Sequence, residues 1–135
     1  MRATATLLAA CGLAVATPAA AKSSCAGFTP GLTAASRAAD ARLVSGSGQR
    51  VTAATISYVL AEPGWRLIWA TPKNAERGVF FLRKTGKTFR LIDTWGGVIA
   101  PDERTDTAKW ARTRPGGGPS PRLSACFADA VADGK

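Results

Sequence analysis

Two cysteines near opposite ends of the exported part of the chain, Cys25 and Cys126, constrain the fold more than any other feature. They form a pair because the third cysteine, Cys11, falls inside an apolar N-terminal stretch. Met1 and Arg2 make a short positive start, an apolar run continues to Ala16, and Pro18 precedes Ala19, Ala20 and Ala21. These are the three regions of a cleavable signal peptide, with the cut expected after Ala21. The run is shorter than the roughly 20 apolar residues that cross a bilayer, so no transmembrane segment is expected once the leader is removed. The order Leu8-Ala9-Ala10-Cys11-Gly12 also matches the pattern at which bacterial lipoproteins are cut and acylated. The apolar stretch ahead of Cys11 is short for that route, and the residues after it stay apolar. A periplasmic or secreted protein is therefore the reading, with a lipoprotein acylated at Cys11 as its alternative.

Export makes the cysteine arithmetic simple. An even count in an oxidising compartment admits one intramolecular pairing, so a Cys25–Cys126 disulfide is expected. It would close a loop of about 100 residues, for which loop-closure entropy gives about 4–5 kcal/mol. No CxxC spacing and no histidine stands by to activate either thiol, so a structural bridge is expected rather than a reactive one.

Residues 22–135 form one domain-sized unit with one expected core. The whole chain of 135 residues carries 18 Lys and Arg against 9 Asp and Glu. The leader contributes only Arg2 to that balance, so the exported part stays strongly basic. This favours anionic partners, and it also favours solubility with no partner at all.

Along the chain, Thr29-Pro30 offers a helix start and a short helix is expected through Ala34–Leu43, closed by Ser45-Gly46-Ser47-Gly48. Ala53, Ile56, Val59 and Leu60 fall on one helical face and predict a second helix over 52–61, stopped by Pro63-Gly64. Trp65–Ala70 is short, aromatic and bounded by prolines, which predicts a strand with Trp65, Leu67 and Trp69 on one face. Gly78–Lys84 and Thr88–Trp95 predict a hairpin through the three-residue turn Thr85-Gly86-Lys87, buried on one face and partly wet on the other. Val98–Thr107 reads as a polar loop, with Asp106 or Thr107 capping a short helix through Lys109–Arg112. The run from Arg114 to Pro121 holds neither helix nor central strand, leaving a mobile connection or an ordered arm. A last helix opens at Pro121 or Arg122 with Leu123, Cys126, Phe127 and Ala130 as its apolar stripe. The predicted assembly is α+β: a three-stranded antiparallel sheet with two N-terminal helices and a C-terminal helix packed on it, closed by one disulfide.

The chain contains no histidine. That removes Ser-His-Asp and Cys-His nucleophile systems, the commonest zinc shells and the usual general base near neutral pH. Gly86-Lys87-Thr88 fails as a P-loop because the first glycine of that pattern would fall at Phe81, and Gly46-Ser47-Gly48 lacks a third glycine because position 51 is Val51. No cofactor, metal site or complete catalytic motif is therefore expected. The remaining acid–base candidates are Glu62, Glu76, Asp93, Asp102, Glu103 and Asp106. Among them Asp93 stands out, at the end of an apolar strand beside Thr94-Trp95-Gly96-Gly97. Paired with Asp102 or Glu103 it would suit hydrolysis of a glycan; the plainer expectation pairs it with an arginine while Trp95 fills the core. The hairpin tip, with Arg83, Lys84, Lys87 and Arg90 near Phe80, Phe81 and Phe89, mixes charges and rings as single-strand binders do. Strand alternation would bury those rings and lysines at a hairpin end protect an exposed edge, so nucleic acid is disfavoured.

The functional expectation is a non-catalytic accessory protein that binds another protein or an anionic envelope component. Its expected surface comprises Trp65, Arg66, Trp69, Asp93, Trp95 and Arg104, because tryptophan and arginine are enriched where binding energy concentrates. The alternatives are a small carboxylate-based enzyme acting on an envelope glycan and a purely structural module. The residues leave the oligomeric state open.

Overall fold

The computed structural model describes residues 25–135. The leader over 1–21 and the alternative acylation at Cys11 lie outside the described residues. Seven principal elements follow in chain order: α1 (Ala34–Ser45), β1 (Ile56–Glu62), β2 (Trp65–Ala70), β3 (Gly78–Thr85), β4 (Thr88–Gly96), α2 (Arg104–Arg112) and α3 (Pro121–Ala132). The strands form one antiparallel sheet in the order β1-β2-β3-β4, a simple meander. Among the described residues no helix is long and apolar enough to cross a membrane.

The sheet thus has four strands where three were expected, because 52–61 is not a helix. Ala53–Thr55 makes a single 3₁₀ turn and Ile56–Glu62 is the first strand. The physical reason is a register shift between Ile56 and Tyr58. A bulge puts one extra residue between side chains of the same face. Ile56 and Val59 therefore point the same way three residues apart, and the strand imitates helical spacing. Pro63-Gly64 closes a two-residue hairpin, with Gly64 at the positive φ of 96° that the second turn position of a type II turn requires. The β3–β4 turn is also one residue shorter than expected, since Thr85 pairs directly with Thr88 across Gly86-Lys87.

Helices cover both faces of the sheet. Beneath α2 and α3, one core gathers Leu60, Leu67, Trp69, Phe81, Leu123, Cys126 and Phe127, all essentially without solvent exposure. Trp65, Leu67 and Trp69 share this face, as strand alternation requires. Under α1, a second and mainly aliphatic core joins Ala41, Val44, Ile56, Val59, Ile68, Phe80 and Leu82. Residues Gly78–Leu82 of β3 are buried on both faces, so the expected wet side of the hairpin is confined to its end and to β4. Burial on two faces also explains why Gly78–Leu82 reads as a continuous apolar run.

Local chemistry accounts for the helices. Thr33 and Ser36 form a reciprocal capping box at the start of the alanine-rich α1. Among the described residues one α-helix precedes the sheet, and the other two follow it. The helix expected at Lys109–Arg112 begins at Arg104, taking in residues read as a polar loop; its acidic residues come first (Asp106) and its basic ones last (Lys109, Arg112), as the helix dipole favours. Ser120 caps α3 by accepting from the Leu123 amide, with Pro121 at the first helical position. Glu62 at the end of β1 accepts from both the Ser120 amide (2.8 Å) and its hydroxyl (2.6 Å), tying strand to helix.

The Cys25–Cys126 disulfide is present, with Cα atoms 4.7 Å apart. It fastens the N-terminal segment to α3, and the Ala61 amide of β1 donates to the Phe28 carbonyl of that same segment (2.8 Å). The arm from Arg114 to Pro121 is ordered: the Gly118 amide bonds the Arg112 carbonyl (3.0 Å), and no side chain fits at Gly118 because a Cβ would strike the backbone of Ala111 and Arg112.

Candidate functional site

The six residues expected to form a binding surface do not meet on one. Trp65 and Trp69 are buried in the α2/α3 core, where Trp69 lies edge-on to Tyr58 at 5.1 Å. Arg66 points to the other face and forms a bidentate pair with Asp40, through Nη2–Oδ2 (2.9 Å) and Nε–Oδ1. Asp40 is 1% exposed, and this paired geometry satisfies a carboxylate that would otherwise be costly to bury. Arg104 bridges Asp129 (3.3 Å) and Asp133 (3.2 Å). Asp93 binds Arg114, whose guanidinium also lies 3.6 Å over the Trp110 ring. Trp95 borders an open hollow distinct from the one that Arg104 lines, with one side of its indole packed on Trp110 and Phe127.

The carboxylates are similarly dispersed. Glu62 caps α3, Glu103 accepts from the Ala100 amide (2.6 Å), and Asp102 is exposed in the 3₁₀ turn Pro101–Glu103. Asp102 lines none of the hollows around Trp95. Asp106 is exposed in the first turn of α2. At the hairpin tip Phe80 and Phe81 are core residues and Phe89 is half-buried, so no ring is presented there beside the cations. Arg83 is held between the Trp65 ring and the Pro115 carbonyl.

The structure instead brings together two loops that have no sequence proximity. The α1–β1 loop and the β2–β3 loop meet at one end of the sheet, joined by a bond from the Lys73 amide to the Arg50 carbonyl (2.9 Å). Between and beside them run three adjoining hollows. Those of about 590 and 370 Å³ share Gly48, Gln49, Arg50 and Lys73; the third, of about 450 Å³, joins through Gln49, Pro72 and Ala75 and ends against Trp95. Arg50, Lys73 and Arg77 are exposed along this track, and none forms an ion pair among the described residues. Glu76 is the one carboxylate on its wall. The hydroxyls of Ser45, Thr52, Thr55 and Thr71 line its first part.

A groove of about 690 Å³ between α2 and α3 is the larger single hollow, but its cations are accounted for differently. Arg104 is neutralised by Asp129 on the same wall, while Lys109 and Arg112 offset the helix C-terminus. The track at the strand ends is the more distinctive surface: concave, polar and positively charged with little internal compensation. Among the described residues no three Asp, Glu, His or Cys side chains gather to hold a metal ion.

Fold and site together define a small disulfide-closed α+β domain with a basic groove at one end of its sheet. Comparison with protein-family models, curated proteins and solved structures finds no match for this chain.

Proposed function

We propose that the chain is a non-catalytic binding protein of an oxidising, extracytoplasmic compartment, and that it holds an anionic envelope polymer in the groove of Arg50, Lys73 and Arg77. The observation that carries this reading is the uneven distribution of charge. Asp40, Asp93, Asp129 and Asp133 pair Arg66, Arg104 and Arg114 elsewhere, and of the many cations left without an ion pair Arg50, Lys73 and Arg77 are the ones that line adjoining hollows. A concave row of uncompensated cations concentrates field where a polyanion would lie. The disulfide and the leader support the compartment. The engagement of Glu62, Asp93 and Glu103 in capping and pairing supports a binding role over carboxylate catalysis.

Net charge alone would draw polyanions to any basic protein, so the test holds net charge fixed. Arg50→Glu with Lys73→Glu is compared with Lys84→Glu with Lys87→Glu at the hairpin tip, using polygalacturonate and polyphosphate as probes at low and physiological salt. The groove variant is expected to bind at least roughly tenfold more weakly, and the tip variant to lose less than about twofold. Equal losses would show that only overall charge matters.

A further inference from the structure

We propose that the outer edge of β4 is a docking site for an extended, acidic segment of another protein, which adds to the sheet as a fifth strand beside Thr88–Leu91. The meander has two edge strands, β1 and β4, and the fold treats them differently. At β1 the Ala61 amide donates to the Phe28 carbonyl of the disulfide-held N-terminal segment (2.8 Å), and Ile56, Val59 and Leu60 are essentially without solvent exposure. Among the described residues no backbone–backbone bond joins β4 to anything but β3, and none of its nine residues is buried. Phe89 and Leu91 are half-buried against the α1 core, and Ile92 and Trp95 against the aromatic one, so both cores stop short at this edge. Gly86 has a φ of 63° and Lys87 no positive φ, a type II′ turn that makes Thr85 and Thr88 a hydrogen-bonded pair. Alternation then turns the N–H and C=O of Phe89 and Leu91 outward. The bulge at Ile92 and the bond from the Thr94 amide to the Asp93 carboxylate (2.7 Å) end this open run.

Charge selects the occupant. Trp65, Arg83 and Arg90 stand side by side across β2, β3 and β4. Like charges directly opposite one another destabilise a sheet, and Arg83 with Arg90 is such a pair. Arg83 turns to the Trp65 ring and the Pro115 carbonyl (3.0 Å), whereas Arg90 is exposed and forms no hydrogen bond or ion pair among the described residues. A carboxylate on a strand outside β4 would sit beside Arg90 as its cross-strand partner, with Lys84 and Lys87 exposed nearby. The one acid of the β3–β4 hairpin, Asp93, is already paired with Arg114. A second copy of this chain would bring these cations against their own kind, so the occupant is a different protein. Main-chain bonds to Phe89 and Leu91 would hold the segment, and its acidic side chain would give the specificity.

Two short synthetic peptides of equal charge separate strand addition from simple attraction. One alternates glutamate with valine; the other alternates glutamate with proline, which lacks the backbone donor that a ladder needs. Each is titrated against the isotopically labelled protein while the Phe89 and Leu91 amide signals and their hydrogen exchange are followed. The glutamate–valine peptide is expected to shift both signals saturably and to slow their exchange roughly tenfold. The glutamate–proline peptide, and a lysine–valine peptide, are expected to do neither. Arg90→Glu should weaken binding of the glutamate–valine peptide roughly tenfold and admit the lysine–valine one. An equal response to the proline peptide, or no response to any, overturns the proposal in favour of a merely cationic hairpin tip. Exchange that slows with rising protein concentration in the absence of peptide overturns it in favour of a second copy. This edge stands apart from the groove: Arg50→Glu with Lys73→Glu should leave peptide binding within about twofold, so either surface can fail without the other.

Discussion

The face of the sheet under α2 and α3 is filled with rings and tied covalently, whereas the face under α1 is filled with aliphatic side chains around one ion pair. On the first, Trp69, Phe81, Trp95, Trp110 and Phe127 contact one another edge-on or tilted, and Cys126 bonds the N-terminal segment across them. On the second, a single helix presents the narrow stripe Asp40, Ala41 and Val44 and leaves the strand ends beyond it open. The contrast teaches where this molecule spends its aromatic residues: they close the more heavily covered face, and the groove opens at the end of the sheet beyond α1, reaching the aromatic face only at Trp95.

If rings and disulfide make the first face rigid, equal truncations should cost more there. Leu123→Ala is expected to destabilise by about 4 kcal/mol and Leu82→Ala by about 3, both read from urea unfolding, because a stiff wall collapses less around a void. The two positions are equally buried, so identical costs would break the comparison. The α1 face is expected to be sensitive at its charge instead. Asp40→Ala should cost about 3 kcal/mol by stranding Arg66, and Asp40→Leu combined with Arg66→Met should recover most of that loss. A double variant as unstable as the single one would mean that Asp40 acts through packing rather than pairing.

The smallest effect concerns the one tyrosine, Tyr58, on the aromatic face. Burial raises its phenol above the usual value of 10.0. The folded protein therefore keeps this proton after the unfolded chain has lost it. Its contribution is fully present below about pH 10 and is lost as pH rises through the raised value. Tyr58→Phe should flatten the decline in stability on the alkaline side, as measured by unfolding midpoints between pH 8 and 11; an unchanged slope would place the decline elsewhere.

Much of the frame was legible where local chemistry decides. The cysteine count pointed to the disulfide, the β3 and β4 runs to paired strands, and the Leu123, Cys126, Phe127 and Ala130 stripe to the docking face of α3. The first strand was hidden because its bulge at Ile56/Tyr58 reproduces a three-residue spacing, and α2 because its polar first turn resembles a loop. The candidate site was scarcely legible. Arg50 and Lys73 lie in separate loops whose meeting depends on the whole meander, and Gln49 and Pro72 carry no motif. Trp65, Trp69 and Arg66 looked like binding residues by type, but a sheet covered on both sides had internal uses for each.

The bridge between residues 25 and 126 turns everything between them into a closed ring. A single cut within the exposed stretch 46–50, or at Lys73 to Arg77, would open that ring without dividing the molecule. A protease would need two cuts, or one cut and a reductant, to release a fragment from within the ring, so the loops that line the groove can be exposed at a lower risk of losing part of the protein.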